Sequence, residues 1–138
     1  TLVSEKENRV RTFTTQDYPA LLSNSILFIQ PFGGGDDYLI GTTKGLVLFS
    51  LKETSFRAFS EENVYKGTQF YSCLADEEGI WLATSEKVLY YNMNTNQTDI
   101  YPLDTNKYPG CAAWSLCFDS RNRLWIGTSE GVFLLRIK

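Results

Sequence analysis

Histidine is absent from these 138 residues, and its absence removes several kinds of chemistry. The chain has no imidazole for a general base, a metal ligand or a Ser-His or Cys-His nucleophile. Cys73, Cys111 and Cys117 are spaced 38 and 6 residues apart, which matches no zinc-binding pattern. Cys73 and Cys117 lie in apolar runs and are predicted to be small core residues, although a disulfide among the three is left open. The sequence therefore predicts no metal site and no cofactor.

A large net charge and a long apolar run are also missing. Thirteen basic and sixteen acidic side chains give a net charge of −3, which favours neither nucleic acid nor an anionic membrane as a partner. No apolar run approaches the roughly 20 residues that a membrane helix needs, so we predict no membrane contact by this segment. The chain is rich in aromatic residues, with 3 Trp, 8 Tyr and 9 Phe, and is predicted to fold around a core.

One pattern occurs three times along the chain, in residues 25–60, 71–103 and 114–138. Its centre is an apolar pair, a small residue and a threonine, seen as LIGT, WLAT and WIGT. The small residues Gly41, Ala83 and Gly127 are 42 and 44 residues apart, and a fixed period of this length is typical of a repeat architecture. We expect these small residues to lie where neighbouring repeats approach closely.

Each repeat is predicted to contain four short strands. An apolar strand leads through a Gly- or Asp-containing turn to the strand with the central motif, and a tight turn then leads to a third apolar strand. The fourth strand is more polar and ends with an aromatic residue. No segment longer than a turn has the 3.6-residue apolar period, although residues 16–23 and 61–69 are long enough for a helical turn. The pattern predicts an all-β fold of four-stranded antiparallel β-propeller blades, each about 42–44 residues long.

Counting strands gives three blades in this chain. An outer strand is predicted at 10–14, complete blades at 25–60 and 70–103, and three inner strands at 113–138, all in one partial propeller domain over 1–138. Propellers typically have about four to eight blades. We therefore expect the open faces of these blades to be covered by further propeller blades or by a second copy of the chain.

The motifs resemble the two-component regulator propeller repeat. Residues Asn24-Ser25-Ile26 match the start of that repeat, Leu124-Trp125-Ile126-Gly127-Thr128 match its core in full, and Gly131-Val132 match its Gly-Leu step. The second repeat departs from the pattern at Ala83 and Lys87, where the family has glycine. The resemblance covers nearly the whole chain from about residue 10.

The resemblance implies a function in signal transduction. Such repeats build the extracytoplasmic sensors of membrane-bound histidine kinases, often hybrid two-component systems of Bacteroidetes, and these sensors tend to detect glycans. The chain would then be a periplasmic, non-catalytic segment of such a sensor, and the kinase activity would lie elsewhere in the parent protein. Because a fold hosts many functions, this step is analogy.

Candidate ligand-binding residues lie in the loops that precede the innermost strands. They combine aromatic rings with polar groups, which suits an oligosaccharide with an apolar face and a polar rim; they are Tyr65, Lys66, Tyr71, Tyr108 and Trp114. Trp81 and Trp125 belong to the repeat motif and are expected to pack within the fold. The acidic runs, such as Asp76-Glu77-Glu78, are explained by their turn positions.

Two other functions remain open at this stage. The chain also suits a fragment of a propeller enzyme of the lyase type, although the catalytic residue of that family is a histidine. The third hypothesis is a protein–protein interaction scaffold like the WD-repeat propellers, although the Gly-His and Trp-Asp pairs of those repeats are missing.

Overall fold

The computed structural model describes residues 2–4, 9–33, 35–103, 107 and 110–136 as thirteen strands and two short 3₁₀ turns. The strands are β1 (Leu2–Ser4), β2 (Arg9–Arg11), β3 (Ile26–Phe32), β4 (Asp37–Thr42), β5 (Gly45–Ser50), β6 (Ser55–Ala58), β7 (Phe70–Ala75), β8 (Gly79–Thr84), β9 (Lys87–Asn92), β10 (Gln97–Pro102), β11 (Ala113–Phe118), β12 (Arg123–Thr128) and β13 (Gly131–Arg136). The 3₁₀ turns, Pro19–Leu21 and Asn63–Tyr65, lie within the two segments predicted to hold a helical turn. No helix in the described part of the chain is long and apolar enough to cross a membrane.

The strands form three antiparallel blades of four, four and three strands, as the repeat predicts. The first blade contains β3 to β6, the second β7 to β10 and the third β11 to β13, each in sequence order. The innermost strands β3, β7 and β11 lie beside one another. The predicted all-β propeller-blade fold is therefore confirmed.

The amino-terminal strand differs from its prediction in extent and pairing. It covers Arg9–Arg11 and pairs with Leu2–Ser4 in a separate two-stranded sheet, while residues 12–14 are outside strands. Phe13 lies against the outer side of the first blade, with its ring 5.4 Å from that of Phe49. Phe59, at the end of the first blade, makes the equivalent contact with Tyr91 of the second blade, with the rings 4.8 Å apart. Phe13 therefore packs against the first blade as the end of a preceding blade would.

Two apolar clusters hold the blades face to face. Leu39, Leu46 and Leu48 of the first blade meet Leu82 and Leu89 of the second. The other faces of β8 and β9 form the interface with the third blade. There Trp81, Val88 and Tyr90 of the second blade meet Leu124 and Ile126 of the third. Side chains alternate between the two faces of a strand, and a neighbouring blade covers each face of the second blade, which explains why every residue of β8 is buried.

The motif threonines close the tight turns at one edge of the blades. We call this the upper edge; it comprises turns 43–44, 85–86 and 129–130. The hydroxyl of Thr42 donates to the carbonyl of Gly45 at 2.9 Å, that of Thr84 to Lys87 at 2.9 Å, and that of Thr128 to Gly131 at 2.8 Å. Each hydroxyl thus links the residue before the turn to the residue after it, which explains the threonine in each repeat.

The Thr84 hydroxyl permits a direct test of this function. Thr84 is fully buried, so Thr84→Val is expected to lower the free energy of unfolding by about 1–2 kcal/mol, because the hydrogen bond from the buried hydroxyl to the Lys87 carbonyl is lost. The matched change Thr128→Val is expected to cost less, since Thr128 is half-buried and water can replace its hydroxyl. Urea unfolding of both variants measures the difference; equal losses would contradict the burial argument.

The middle tight turn lacks the glycine of the other two. Gly45 and Gly131 have φ of 153° and 113° in the first and third blades, whereas in the corresponding turn of the second blade the positive φ lies on Glu86 at 68°. The amide of Glu86 donates to the Cys111 carbonyl at 2.8 Å, and its own carbonyl accepts from the Leu103 amide at 2.9 Å. The loop between the second and third blades therefore holds this turn in a conformation that glycine adopts more easily.

Of the three small motif residues, Ala83 lies in the apolar cluster between the second and third blades, whereas Gly41 and Gly127 are required by close neighbours within their own blades. Each of these glycines lies opposite the innermost strand of its own blade. A Cβ atom on Gly41 would lie 2.1 Å from a ring carbon of Phe28, and one on Gly127 would lie 2.5 Å from the Ser115 hydroxyl. The close approach is within the sheet because Phe28 and Ser115 are the cross-strand partners of these glycines.

Candidate functional site

Each innermost strand carries a β-bulge near its first residue, beside the upper edge. In the first blade, pairing passes from Ile26 with Thr42 to Phe28 with Gly41, which leaves Leu27 as the extra residue. The corresponding extra residues of the second and third blades are Tyr71 and Trp114. Bulges of this kind bend a strand and redirect a side chain, and they are common beside functional sites.

We call Leu27, Tyr71 and Trp114 the bulge site. They lie 44 and 43 residues apart, so they are equivalent positions of the repeat. The Trp114 side chain is 55% exposed, although tryptophan is usually well buried. Leu27 is also exposed, and Tyr71 is half-buried. Three equivalent positions on adjacent innermost strands thus present apolar and aromatic surface on the same side of the fold.

Polar groups surround Tyr71 at the bulge site. Its hydroxyl donates to the side-chain oxygen of Gln69, and it lies 3.4 Å from the Ser85 hydroxyl in the upper-edge turn of the same blade. These two neighbours orient the Tyr71 hydroxyl, and its oxygen can still accept a hydrogen bond from a ligand. The site therefore combines ring surface with groups that bond hydroxyls.

The other predicted ligand residues are placed differently. Tyr65 is 3% exposed, lies between the first two blades, and its hydroxyl is 2.8 Å from that of Thr98. Burial raises the pKa of Tyr65 to about 12. Its side chain is thus part of the core, which leaves it without a surface for a ligand. Lys66 is exposed and forms an ion pair with Glu61 at 3.4 Å, and Tyr108 lies outside the described residues.

Leu27 is the member of the bulge site that the sequence analysis missed. The repeat period already aligned it with Tyr71 and Trp114, but an aliphatic side chain in an apolar strand looks like a core residue. Only the bulge reveals that Leu27 is outside the regular pairing. Among the described residues, no group of three or more His, Cys, Asp or Glu side chains is arranged to hold a metal ion.

The acidic turn residues have structural functions at the opposite edge of the blades, the lower edge, formed by the turns after β3, β7 and β11. Asp76 accepts hydrogen bonds from the backbone amides of Glu78 and Gly79. Asp119 accepts from the Trp125 indole at 2.8 Å and from the Arg123 backbone and side chain, and these donors hold the pKa of its carboxyl well below the usual range. Both aspartates stabilise the turns that join two strands.

Comparison with known families supports the repeat assignment. A family described as the two component regulator propeller matches residues 107–130, which confirms the resemblance seen in the repeat motif. A comparison with curated protein sequences finds no match.

Comparison with solved structures supports the fold over the whole chain. Two structures of the extracellular domain of BT4673 from B. thetaiotaomicron, described once as a one component and once as a hybrid two component system, match with TM-scores of 0.78 and 0.79 at 18% identity. They cover 98% and 99% of this chain. The extracellular domain of the hybrid two component system BT3049 from the same organism matches with a TM-score of 0.68 at 20% identity, over 98% of this chain. This chain spans only 18% of the BT4673 structures and 17% of the BT3049 structure.

Proposed function

We propose that this chain is a segment of the ligand-sensing propeller of a hybrid two-component system, and that it lies outside the cytoplasm, in the periplasm. Two independent findings support this proposal: the family match at residues 107–130 and the fold shared with the extracellular domains of BT4673 and BT3049. The segment binds its ligand without converting it, and histidine kinase activity belongs to another part of the parent protein.

The proposed ligand is a glycan bound at the bulge site. The observation that carries this choice is the exposed indole of Trp114 on the innermost strand of the third blade. A sugar ring has an apolar face that stacks on such a ring and hydroxyls that bond polar groups such as those around Tyr71. Lys66 belongs to the loop that precedes the second blade, and we include it as a contact at the rim; Tyr108 stays a proposed contact on the sequence alone, because it lies outside the described residues.

Further blades, or a second copy of the chain, would cover the open face of the third blade. Equivalent positions on successive blades have very different exposure: Val88 is 0% exposed and its counterpart Val132 is 68% exposed. Trp81 and Trp125 differ in the same way. The third blade thus carries the apolar residues of an interface, and the larger size of the matching structures favours additional blades as the cover.

The glycan proposal is tested by comparing two exposed tryptophans. A panel of oligosaccharides is screened by thermal shift with the 138-residue chain, and the affinity of any binder is measured for Trp114→Ala and Trp125→Ala. We expect Trp114→Ala to weaken binding about tenfold or more, the effect typical of an aromatic residue at the centre of a binding site. Trp125→Ala is expected to leave the affinity unchanged, because Trp125 is on the interface face of the blade.

The other outcomes separate the alternative functions. Equal effects of the two substitutions would place the ligand away from the bulge site. Binding by no member of the panel would contradict a glycan ligand. Turnover of a bound oligosaccharide would favour the lyase-type enzyme, and capture of a protein partner in the absence of glycan binding would favour the interaction scaffold.

A further inference from the structure

A cleft of about 650 Å³ opens at the lower edge between the second and third blades. Trp81, Tyr90 and Tyr101 of the second blade and Phe118 of the third form its apolar part. The Trp81 ring lies 4.5 Å from Tyr90 and 5.5 Å from Tyr101, so the rings make one continuous aromatic wall. This volume is within the range of small-molecule sites, and the cleft is distinct from the bulge site, which is beside the upper edge.

The rim of the cleft is acidic. Asp76, Glu77 and Glu78 from the β7–β8 turn line the cleft together with Asp99 from β10, and no lysine or arginine is among the lining residues. All four acidic residues are exposed, whereas Trp81 and Tyr90 are buried and Tyr101 and Phe118 are half-buried. Three of these carboxylates act on Tyr90, whose pKa is raised to about 12 by burial, by its hydrogen bond to Asp76 and by the charges of Asp76, Glu78 and Asp99. An anionic ligand would be repelled here, and a cation attracted.

The indole N–H of Trp81 is buried in the wall without an acceptor. Its counterpart in the third blade, Trp125, donates to Asp119 in the lower-edge turn of its own blade. The equivalent carboxylate of the second blade, Asp76, instead accepts from the Tyr90 hydroxyl at 3.0 Å as well as from two backbone amides. A buried donor without an acceptor costs free energy, and an acceptor on a molecule bound in the cleft would recover it.

These three features together define the ligand chemistry. We propose that the cleft binds a hydroxylated organic amine, with its ammonium group at the Asp76–Glu78 and Asp99 carboxylates, its carbon skeleton on the aromatic wall and a hydroxyl oxygen accepting from Trp81. Aromatic rings beside carboxylates favour an organic cation, because the ring faces attract the ammonium and the adjoining carbon atoms are apolar. Trp81 thus has a function in binding as well as the packing function predicted from the repeat.

The test compares three sugars that differ in charge and have similar size: D-glucosamine, D-glucose and D-glucuronate. The readout is the Trp81 indole cross-peak in a ¹H–¹⁵N spectrum of the 138-residue chain. The three indole peaks are assigned with Trp114→Phe and Trp125→Phe, both at exposed positions. We expect glucosamine to move the Trp81 peak in a saturable way, glucose to bind at least about fivefold more weakly, and glucuronate to give no shift.

Two carboxylate substitutions complete the design. Asp99→Asn, at an exposed position of β10, is expected to weaken glucosamine binding about fivefold, and added NaCl to weaken it further. Glu130→Gln, in an exposed turn at the upper edge, is the control and should leave the affinity unchanged. An unmoved Trp81 peak, equal binding of glucose and glucosamine, or equal effects of the two substitutions would overturn the proposal. Trp114→Ala should leave glucosamine binding intact, so the outcome is independent of the glycan proposal for the bulge site.

Discussion

Replacing Trp81 with alanine is expected to lower the free energy of unfolding by about 3–5 kcal/mol, the typical cost of removing a large buried aromatic side chain. Trp81 is 3% exposed and lies in the apolar cluster between the second and third blades. Its removal enlarges the cleft beside Tyr90, Tyr101 and Phe118, whose rings lose their contacts with the indole. Because this cluster joins two blades, the loss affects their docking as well as the second blade itself. Urea unfolding followed by circular dichroism measures it.

Trp125→Ala is the matched control, since the same residue occupies the same position of the next repeat. Trp125 is 38% exposed, and its main contacts are the hydrogen bond to Asp119 and the Arg123 guanidinium, 6.0 Å above its ring. We expect a loss of about 1 kcal/mol, the usual size of one such hydrogen bond. If the two substitutions cost the same, the open face of the third blade must be covered in solution, which would contradict the exposure described above.

Gly41→Ala is expected to lower the free energy of unfolding by about 2–3 kcal/mol, through overpacking of the first blade. The new methyl group would overlap the Phe28 ring, which is the cross-strand neighbour of Gly41. Phe28 packs against the cluster between the first and second blades, so its ring has little room to move away. Gly127→Ala is the comparison within the repeat. It is expected to cost less, because its neighbour is the small, exposed Ser115, whose hydroxyl has room to rotate.

A second substitution can relieve the overlap at Gly41. The second blade has Ser72 opposite Ala83 at these positions, so Phe28→Ser with Gly41→Ala recreates a pair that the fold already contains. In a double-mutant cycle, the double variant should lose less unfolding free energy than the two single variants together, by about 1 kcal/mol or more. Simple additivity would show that Phe28 is not what restricts residue 41.

The blades are the part of the fold that the sequence predicted best. Apolar strands and the turn residues between them repeat with a period near 43, and the strands of each blade pair in the order in which they follow along the chain. Local hydrogen bonds determine this order, because consecutive strands joined by tight turns pair with each other. The motif threonines Thr42, Thr84 and Thr128 illustrate the point, since each closes the turn immediately after it.

The predicted ligand residues were less well resolved by the sequence. Tyr65 and Trp114 are aromatic residues near the start of an innermost strand, and nothing in the neighbouring letters distinguishes the buried one from the exposed one. Their difference arises from packing: Tyr65 stacks near Phe70 and Phe59 between two blades, while Trp114 is the extra residue of a bulge. A bulge depends on the pairing of two strands and leaves no single-residue signature in either of them.

The sequence by itself determined the all-β class, the blade repeat and the turns that close each blade, because these depend on contacts between residues close together along the chain. The tertiary structure alone decided which face of each strand is covered and which polar atoms keep a partner. Trp81 and Trp125 have the same place in the repeat, yet one is buried between two blades and the other is exposed at the last blade. The physical reason is that burial and hydrogen-bond satisfaction depend on the neighbouring blade, which the local sequence of a repeat does not specify.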